Sequence, residues 1–145
     1  MLKNISPFKH QIEAVEDFSK TWSRALFWDV GTGKTLAALM CFDYAMHRAI
    51  SDRLLVVAPL ALIDNAWGED IRKFTDLEYT NLNKSKTINA PICIVNLESL
   101  ITKAKLPIVA DWCRAGKAMC VIDESQRCRN HSTKAAKTID RKSVV

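Results

Sequence analysis

The sequence has 145 residues, of which 48% are hydrophobic and 26% are charged, which are the proportions of one ordinary folded domain with a core of its own. This composition excludes a mainly disordered chain. The longest apolar run, residues 54–63, is interrupted by Pro59 and is shorter than the roughly 18 residues that a membrane-spanning helix needs. Residues 1–10 contain no continuous apolar stretch of the kind that a secretory signal requires. We therefore expect a cytoplasmic protein without a membrane partner.

Charge and cysteine content narrow the possible partners. The 21 Lys and Arg against 16 Asp and Glu give a net charge of +5, which permits a polyanionic partner without requiring one. Part of this excess lies in residues 127–145, a pattern that is also typical of a solvated helix. The five cysteines form no CxxC pair, which excludes a disulfide framework and a zinc ribbon.

The hydrophobic pattern predicts strands that alternate with helices within one domain. Apolar residues at helical spacing between Phe8 and Phe18 predict a first helix that begins near residue 6. The other predicted elements are, in chain order, a strand at 24–28, a helix at 34–49, a strand at 54–58, a helix at 60–74, a strand at 91–95, a helix at 107–115 and a strand at 118–122. This order predicts an α/β domain with a mostly parallel sheet. Its ligands are expected at the carboxyl ends of the strands.

A glycine-containing turn, Gly31-Thr32-Gly33-Lys34-Thr35, lies between the first predicted strand and the long helix that follows. Glycines let the backbone turn its N–H groups around phosphate oxygens, and the start of the helix adds a positive end. The Lys34 side chain can reach the β- and γ-phosphates of a nucleoside triphosphate, and the Thr35 hydroxyl can ligate Mg²⁺. The alternative is a structural glycine turn with an exposed lysine, which the order of strand, loop and helix disfavours.

Two acidic residues, Asp123 and Glu124, end the last predicted strand. Asp123 would anchor Mg²⁺ through the water ligands of the ion, and Glu124 would orient and polarise the water that attacks the γ-phosphate. Two acids at the end of a strand are often only solvated. The phosphate loop earlier in the chain favours the functional interpretation, because both halves of one reaction seldom occur together by chance.

These segments resemble the motifs of superfamily 2 helicases, and within them the first RecA-like lobe of the Swi/Snf-type DNA translocases and their phage and bacterial relatives. Residues 28–35, WDVGTGKT, are similar to the D-E-M-G-x-G-K-T motif of that family, in which the first position is not glycine either. Residues 123–130, DESQRCRN, resemble D-E-x-H-x-x-K-N. Further similarities are those of residues 7–11 to the aromatic-x-x-Gln region, of residues 55–60 with Trp67 to motif Ia, and of residues 94–100 to motif Ib.

The resemblance implies a P-loop NTPase fold with three α/β/α layers, and it also implies ATP, Mg²⁺ and DNA as ligands. Gln11 would read the adenine edge, and the phosphate loop would bind the phosphates; the implied nucleotide-binding residues are Gln11, Val30, Gly31, Thr32, Gly33, Lys34 and Thr35. Glu124 and Lys34 would be catalytic, and Thr35 and Asp123 would hold the metal. The family's motif Ia and Ib loops touch the backbone of one DNA strand. The implied DNA contacts are Pro59, Asn96 and Ser99.

The resemblance also implies parts beyond this sequence. Residues 142–145 look like the start of the strand that leads to motif III, so we expect residues 1–145 to form an incomplete N-terminal lobe. A second RecA-like lobe, from another chain or a downstream segment, would supply an arginine finger worth roughly 10³ to 10⁵ in rate. We therefore expect the ATP-binding lobe of a DNA-dependent ATPase or translocase that is weak or inactive alone. Gln126 replaces the family's histidine, which puts in question the coupling of nucleotide state to the next motif.

Two other functions fit parts of the sequence. A nucleotide- or DNA-binding regulatory module without turnover would use the same lobe and the basic residues after 126. A small-molecule kinase would share the phosphate loop, but Gln11 and the DESQRCRN segment disfavour it. The expected location is the cytoplasm, in association with the nucleoid for a DNA motor, or the cytoplasm of a host if the gene belongs to a phage.

Overall fold

The computed structural model describes residues 1–26 and 31–123. Four parallel strands form the sheet in these residues, in the order β2-β3-β1-β4. Their bounds are β1 Arg53–Val57, β2 Tyr79–Asn81, β3 Ile92–Val95 and β4 Ala118–Ile122. Parallel neighbours require crossover connections. Helices lie between β1 and β2 and between β3 and β4, whereas β2 and β3 are joined by residues 82–91 without a helix. The expectation of an α/β domain with a parallel sheet is confirmed.

The register of the sheet brings the ends of three strands to one level. Val57, the last residue of β1, pairs with Val95 at the end of β3 and with Ile122 at the end of β4. The residues that follow these strands therefore lie along one edge of the sheet. This is the edge at which a parallel α/β sheet binds its ligands.

Helices cover both faces of the sheet. One face of the sheet packs against helices α1 (Lys9–Thr21) and α2 (Lys34–His47) and against residues 63–71, around the fully buried Phe42. The other face packs against α4 (Leu97–Ile101) and α5 (Leu106–Arg114). Because β1 and β3 are covered on both sides, both strands are continuous apolar runs, as parallel strands usually are. The result is the expected arrangement of three layers.

The segment after β1 is helical throughout but changes its type twice. A 3₁₀ turn at Leu60–Leu62 follows Pro59, a π-helical turn covers Ile63–Gly68, and an α-helix, α3, covers Glu69–Phe74. We call residues 63–74 the bridging helix. The helix predicted at 60–74 is therefore present, whereas the π turn within it had no signal in the hydrophobic pattern.

Three elements differ from the sequence prediction. Residues 24–26 of the strand predicted at 24–28 are not in a strand; Arg24 forms an ion pair with Asp17 of α1, 3.0 Å apart, instead of entering the sheet. Phe27 and Trp28 lie outside the described residues. Strand β2 and helix α4 were not predicted, because three and five residues are too few to show a hydrophobic period. Within the described residues, no helix has the length and apolarity needed to span a membrane.

Strand β2 is tied to the bridging helix by the carboxylate of Asp64. This carboxylate accepts hydrogen bonds from the Tyr79 hydroxyl at 2.9 Å, from Asn81 Nδ2 at 3.0 Å and from Lys84 Nζ at 2.6 Å. The hydrogen bonds from Lys84 and Tyr79 hold the pKa of the Asp64 carboxyl below its ordinary value, and the Asn81 bond adds to them. Polar contacts thus stabilise an edge strand that has little apolar surface.

The lowered pKa of Asp64 predicts an acid-dependent loss of stability. A carboxylate whose pKa is lower in the folded protein stabilises it above the unfolded-state pKa of about 3.9 and ceases to do so as the pH falls through the folded value. We expect Asp64→Asn to lower the free energy of unfolding at pH 7 and the gap from wild type to close below about pH 4. Urea titrations between pH 7 and pH 3 measure this gap. Asp111→Asn is the control, since the Asp111 carboxylate is 77% exposed and pairs only with Arg114 among the contacts described; a gap that stays constant with pH would contradict the prediction.

Candidate functional site

The predicted phosphate loop leads directly into α2. Gly31 and Gly33 have φ angles of 83° and 77°, the left-handed conformation that glycine adopts most readily. Gly33 is the N-cap of α2, and Lys34 and Thr35 are its first two residues. The N–H groups in the first turn of this 14-residue helix therefore point toward the loop. Val30 lies outside the described residues, so its place in the loop stays a prediction.

The start of α1 holds the loop through two side chains. Gln11 Nε2 donates to the carbonyl oxygen of Gly33 at 3.0 Å, and Gln11 Oε1 accepts from the N–H of Phe8 at 2.9 Å. His10 Nε2 lies within hydrogen-bond distance of the Thr32 carbonyl oxygen, at 3.1 Å. Gln11 is only 1% exposed, so its amide is a structural link between α1 and the loop. Its reading of adenine stays a prediction and would have to use the remaining N–H and lone pair.

Asp123 follows β4 at the carboxyl edge of the sheet. Its backbone N–H donates to the carbonyl oxygen of Val57 at 2.8 Å, which continues the ladder between β4 and β1 by one residue. Its carboxylate oxygen Oδ2 accepts a hydrogen bond from Trp67 Nε1 at 2.9 Å. Trp67, on the bridging helix, is 3% exposed. Glu124 lies outside the described residues, and its catalytic role stays a prediction.

Asp70 is a site residue that sequence reasoning missed. It lies on α3, and the hydroxyl of Thr35 donates a hydrogen bond to its carboxylate. Partial burial raises the pKa of Asp70 above its ordinary value, while the Thr35 hydrogen bond and the charge of Lys73 oppose the rise. The signal in the sequence was its spacing, because a residue three positions after Trp67 on a helix lies on the same side.

The bridging helix therefore contacts both halves of the predicted site. Trp67 contacts Asp123, and Asp70 contacts Thr35. The two contacting side chains are about one helical turn apart. The start of α2 and the acid after β4 thus both contact the same helix, about one turn apart.

Comparisons with known proteins identify the family. The sequence matches the SNF2-related domain over residues 10–143. The chain belongs to this family. No curated protein matches the sequence. Among solved structures, the SWI2/SNF2 ATPase core of Sulfolobus solfataricus in complex with dsDNA is similar in fold, with a TM-score of 0.72 and 23% sequence identity; the match covers 96% of this chain and 30% of that one.

The match to the SNF2-related domain confirms the family resemblance that the motifs indicated. The similarity to the SWI2/SNF2 ATPase core confirms the RecA-like fold that this resemblance implied. The motifs from residue 11 onward lie within the matched range. This chain spans about a third of the length of the matched ATPase core, since it covers 30% of it.

The side chains around Thr35 and Asp123 fit Mg²⁺ in their chemistry. A hydroxyl and carboxylates are hard oxygen donors, and Mg²⁺ is usually held by one or two carboxylates together with phosphate oxygens and water. Among the described residues, no group of three His, Cys, Asp or Glu side chains is placed to hold a metal alone. A magnesium ion would therefore be bound here together with a phosphate ligand.

The predicted DNA contacts lie at the same edge of the sheet. Pro59 follows β1, next to Leu60, which is 61% exposed. Asn96 follows β3 and is 8% exposed, and its Nδ2 donates to Glu98 at 2.9 Å. Asn83 Nδ2 donates to Asn96 Oδ1 at 2.5 Å and to Ser99 Oγ at 3.1 Å. Asn96 and Ser99 are thus parts of a hydrogen-bonded network that also includes Asn83 and Glu98, which were not predicted as site residues. The contact of Asn96 and Ser99 with DNA stays a prediction.

The two loop glycines give a matched pair of variants. Gly31→Ala and Gly33→Ala each place a Cβ on a residue with positive φ, which is expected to destabilise either variant by about 1–2 kcal/mol. Only the Cβ at position 33 would also overlap the Gln11 amide, whereas the Cβ at position 31 would meet nothing within 4 Å among residues 1–26 and 31–123. We expect Gly33→Ala to lower the free energy of unfolding by about 1–3 kcal/mol more than Gly31→Ala, as measured by urea denaturation.

A second pair of variants tests whether the Gln11 contact causes this difference in stability. In a Gln11→Ala background the overlap is removed, so the two glycine variants should become nearly equal in stability. If the two variants are equal already in the wild-type background, the close contact between Gln11 and the loop is wrong.

Proposed function

We propose that this chain is the ATP-binding lobe of a DNA-dependent ATPase of the SNF2 type. The proposal rests mainly on the two contacts of the bridging helix, Thr35 with Asp70 and Trp67 with Asp123. Through them the glycine loop, the start of a long helix and an acidic residue after a parallel strand lie together. This is the combination that phosphoryl transfer from ATP requires.

The proposed nucleotide contacts follow from the chemistry of each group. The backbone N–H groups from Val30 to Thr35 bind the phosphate oxygens, Lys34 reaches the β- and γ-phosphates, and Gln11 recognises the adenine edge. The Thr35 hydroxyl and the Asp123 carboxylate would hold Mg²⁺. The ion, when bound, neutralises the charge on the phosphates.

Hydrolysis is an in-line displacement at the γ-phosphate. Glu124 accepts a proton from the attacking water, whose oxygen forms the new bond to phosphorus as the bond from phosphorus to the β–γ bridging oxygen breaks. Lys34 stabilises the negative charge that develops on the leaving ADP. Removing either side chain should therefore abolish turnover, whereas only the removal of Lys34 should also weaken binding.

The partners in this proposal are DNA and a second RecA-like lobe. Support for both comes from the matched SWI2/SNF2 ATPase core, which is longer than this chain and is in complex with dsDNA. Pro59, Asn96 and Ser99 are the proposed contacts with the DNA backbone. The second lobe supplies a positive side chain to the γ-phosphate, so turnover by this chain alone should be lower by roughly 10³ to 10⁵.

Nucleotide titrations and ATPase assays test the proposal. The chain should bind MgATP, and Lys34→Ala should weaken binding at least about tenfold, since a charge-assisted contact with phosphate contributes about 1.5–3 kcal/mol. Lys20→Ala is the matched control, because it removes the same charge from a side chain that is 71% exposed at the end of α1. Phosphate release should be low for the chain alone and rise when dsDNA and a separately produced second lobe are added.

The variant Glu124→Gln distinguishes an ATP-hydrolysing motor from a binding module without turnover. We expect it to keep nucleotide affinity and lose the stimulated phosphate release. If the wild-type chain binds MgATP but shows no turnover with DNA and the second lobe, the chain is a regulatory binding module. If it binds no MgATP at millimolar concentrations, the proposed function is wrong.

A further inference from the structure

The bridging helix places two side chains against the groups that would hold magnesium. Trp67 is 3% exposed, and its indole N–H, the one polar group of that side chain, donates to Asp123 Oδ2 at 2.9 Å. A buried indole N–H is costly to leave without a hydrogen-bond partner. The Asp123 carboxylate is therefore held in one orientation by a rigid and well-packed neighbour.

The contact between Asp70 and Thr35 also determines how the Thr35 hydroxyl is oriented. A threonine hydroxyl has one proton and two lone pairs. When it donates that proton to the Asp70 carboxylate, its lone pairs point away from Asp70. A metal ion can be bound by those lone pairs without competition from the proton.

Neither Trp67 nor Asp70 belongs to the loop or to the acidic pair. Both lie on a helix that is fixed in the core by Ile63 and Ile71, each 0% exposed. The helix itself makes no backbone contact with nucleotide in the function proposed above. Its side chains act on the residues that do bind.

We propose that Trp67 and Asp70 are positioning residues of the magnesium site, Asp70 by orienting the Thr35 hydroxyl and Trp67 by orienting the Asp123 carboxylate. This inference rests on the proposed function. Partners of this kind, which contact metal ligands but not the metal, typically change metal affinity 10- to 100-fold when they are removed. Their effect should appear in metal-dependent binding and be absent from metal-free binding.

The variants are chosen to remove one interaction each. Trp67→Phe removes the indole N–H and keeps an aromatic ring, and Trp112→Phe makes the same change on the opposite face of the sheet. Asp70→Ala removes the acceptor for Thr35, and Glu69→Ala removes an equal charge from the neighbouring exposed position. Asp70→Asn keeps an oxygen that can accept the hydroxyl proton and should restore part of the loss.

The experiment measures the affinity of the full 145-residue chain for a fluorescent ATP analogue, in EDTA and over a series of Mg²⁺ concentrations. We expect Asp70→Ala and Trp67→Phe to raise the Mg²⁺ concentration for half-maximal binding about tenfold or more, with affinity in EDTA changed less than twofold. The two control variants should leave both values unchanged. Electron paramagnetic resonance of bound Mn²⁺ gives a second readout that is independent of turnover.

Each contrary outcome has its own meaning. Equal losses in EDTA and in Mg²⁺ would show that Trp67 and Asp70 only support the fold of the loop, and the positioning role would be wrong. Unchanged Mg²⁺ dependence in both variants would overturn it as well. A wild-type chain that binds the analogue under neither condition would overturn the proposed function together with this inference. Circular dichroism during thermal unfolding verifies that each variant is folded. Asp70 is only partly buried, so Asp70→Ala still tests the proposal if Trp67→Phe does not fold.

Discussion

Strands β1, β3 and β4 end at the same level of the sheet, and the rest of the site depends on this constraint. Val57 pairs with Val95 and with Ile122, so the chain leaves the three strands at one edge of the sheet. Side chains alternate between the two faces of a strand, and a shift of one residue in β4 would turn Asp123 to the opposite face. The hydrogen bond from the Asp123 N–H to the Val57 carbonyl oxygen keeps this register one residue beyond the strand.

Local chemistry explains which parts of the site were predictable. The glycine loop needs positive φ at Gly31 and Gly33 and a helix directly after it. Consecutive residues of the sequence meet both requirements. Asp123 was predictable because a polar residue ends an apolar run that has the length of a strand. The α/β class followed from the alternation of such runs with amphipathic segments.

The missed parts depend on contacts between distant segments. Asp70 lies 35 positions after Thr35, which donates its hydroxyl proton to it, and its spacing from Trp67 becomes informative only once the contact of Trp67 with Asp123 is known. Asn83 joins Asn96 across 13 positions and looks like an ordinary loop residue. Strand β2 exists because Asp64 accepts three hydrogen bonds around it, not because its three residues favour a strand. In each case a polar side chain is placed by the tertiary fold, and a pattern of hydrophobic residues carries no information about it.

The segment 60–74, which consists of the 3₁₀ turn and the bridging helix, joins two regions that the proposed function uses. These are the loop at Pro59 and the surroundings of Thr35 and Asp123. Its first turn follows Pro59, at the exposed loop proposed to contact DNA, and its middle carries Trp67 and Asp70 against Asp123 and Thr35. Because Ile63 and Ile71 are fully buried in a close-packed core, the segment is fixed against the sheet at both residues. The π turn at Ile63–Gly68 adds backbone between the loop and Trp67, a feature often found at functional sites. In the proposed function, this one segment therefore begins beside the loop that would contact DNA and carries the side chains that contact Asp123 and Thr35.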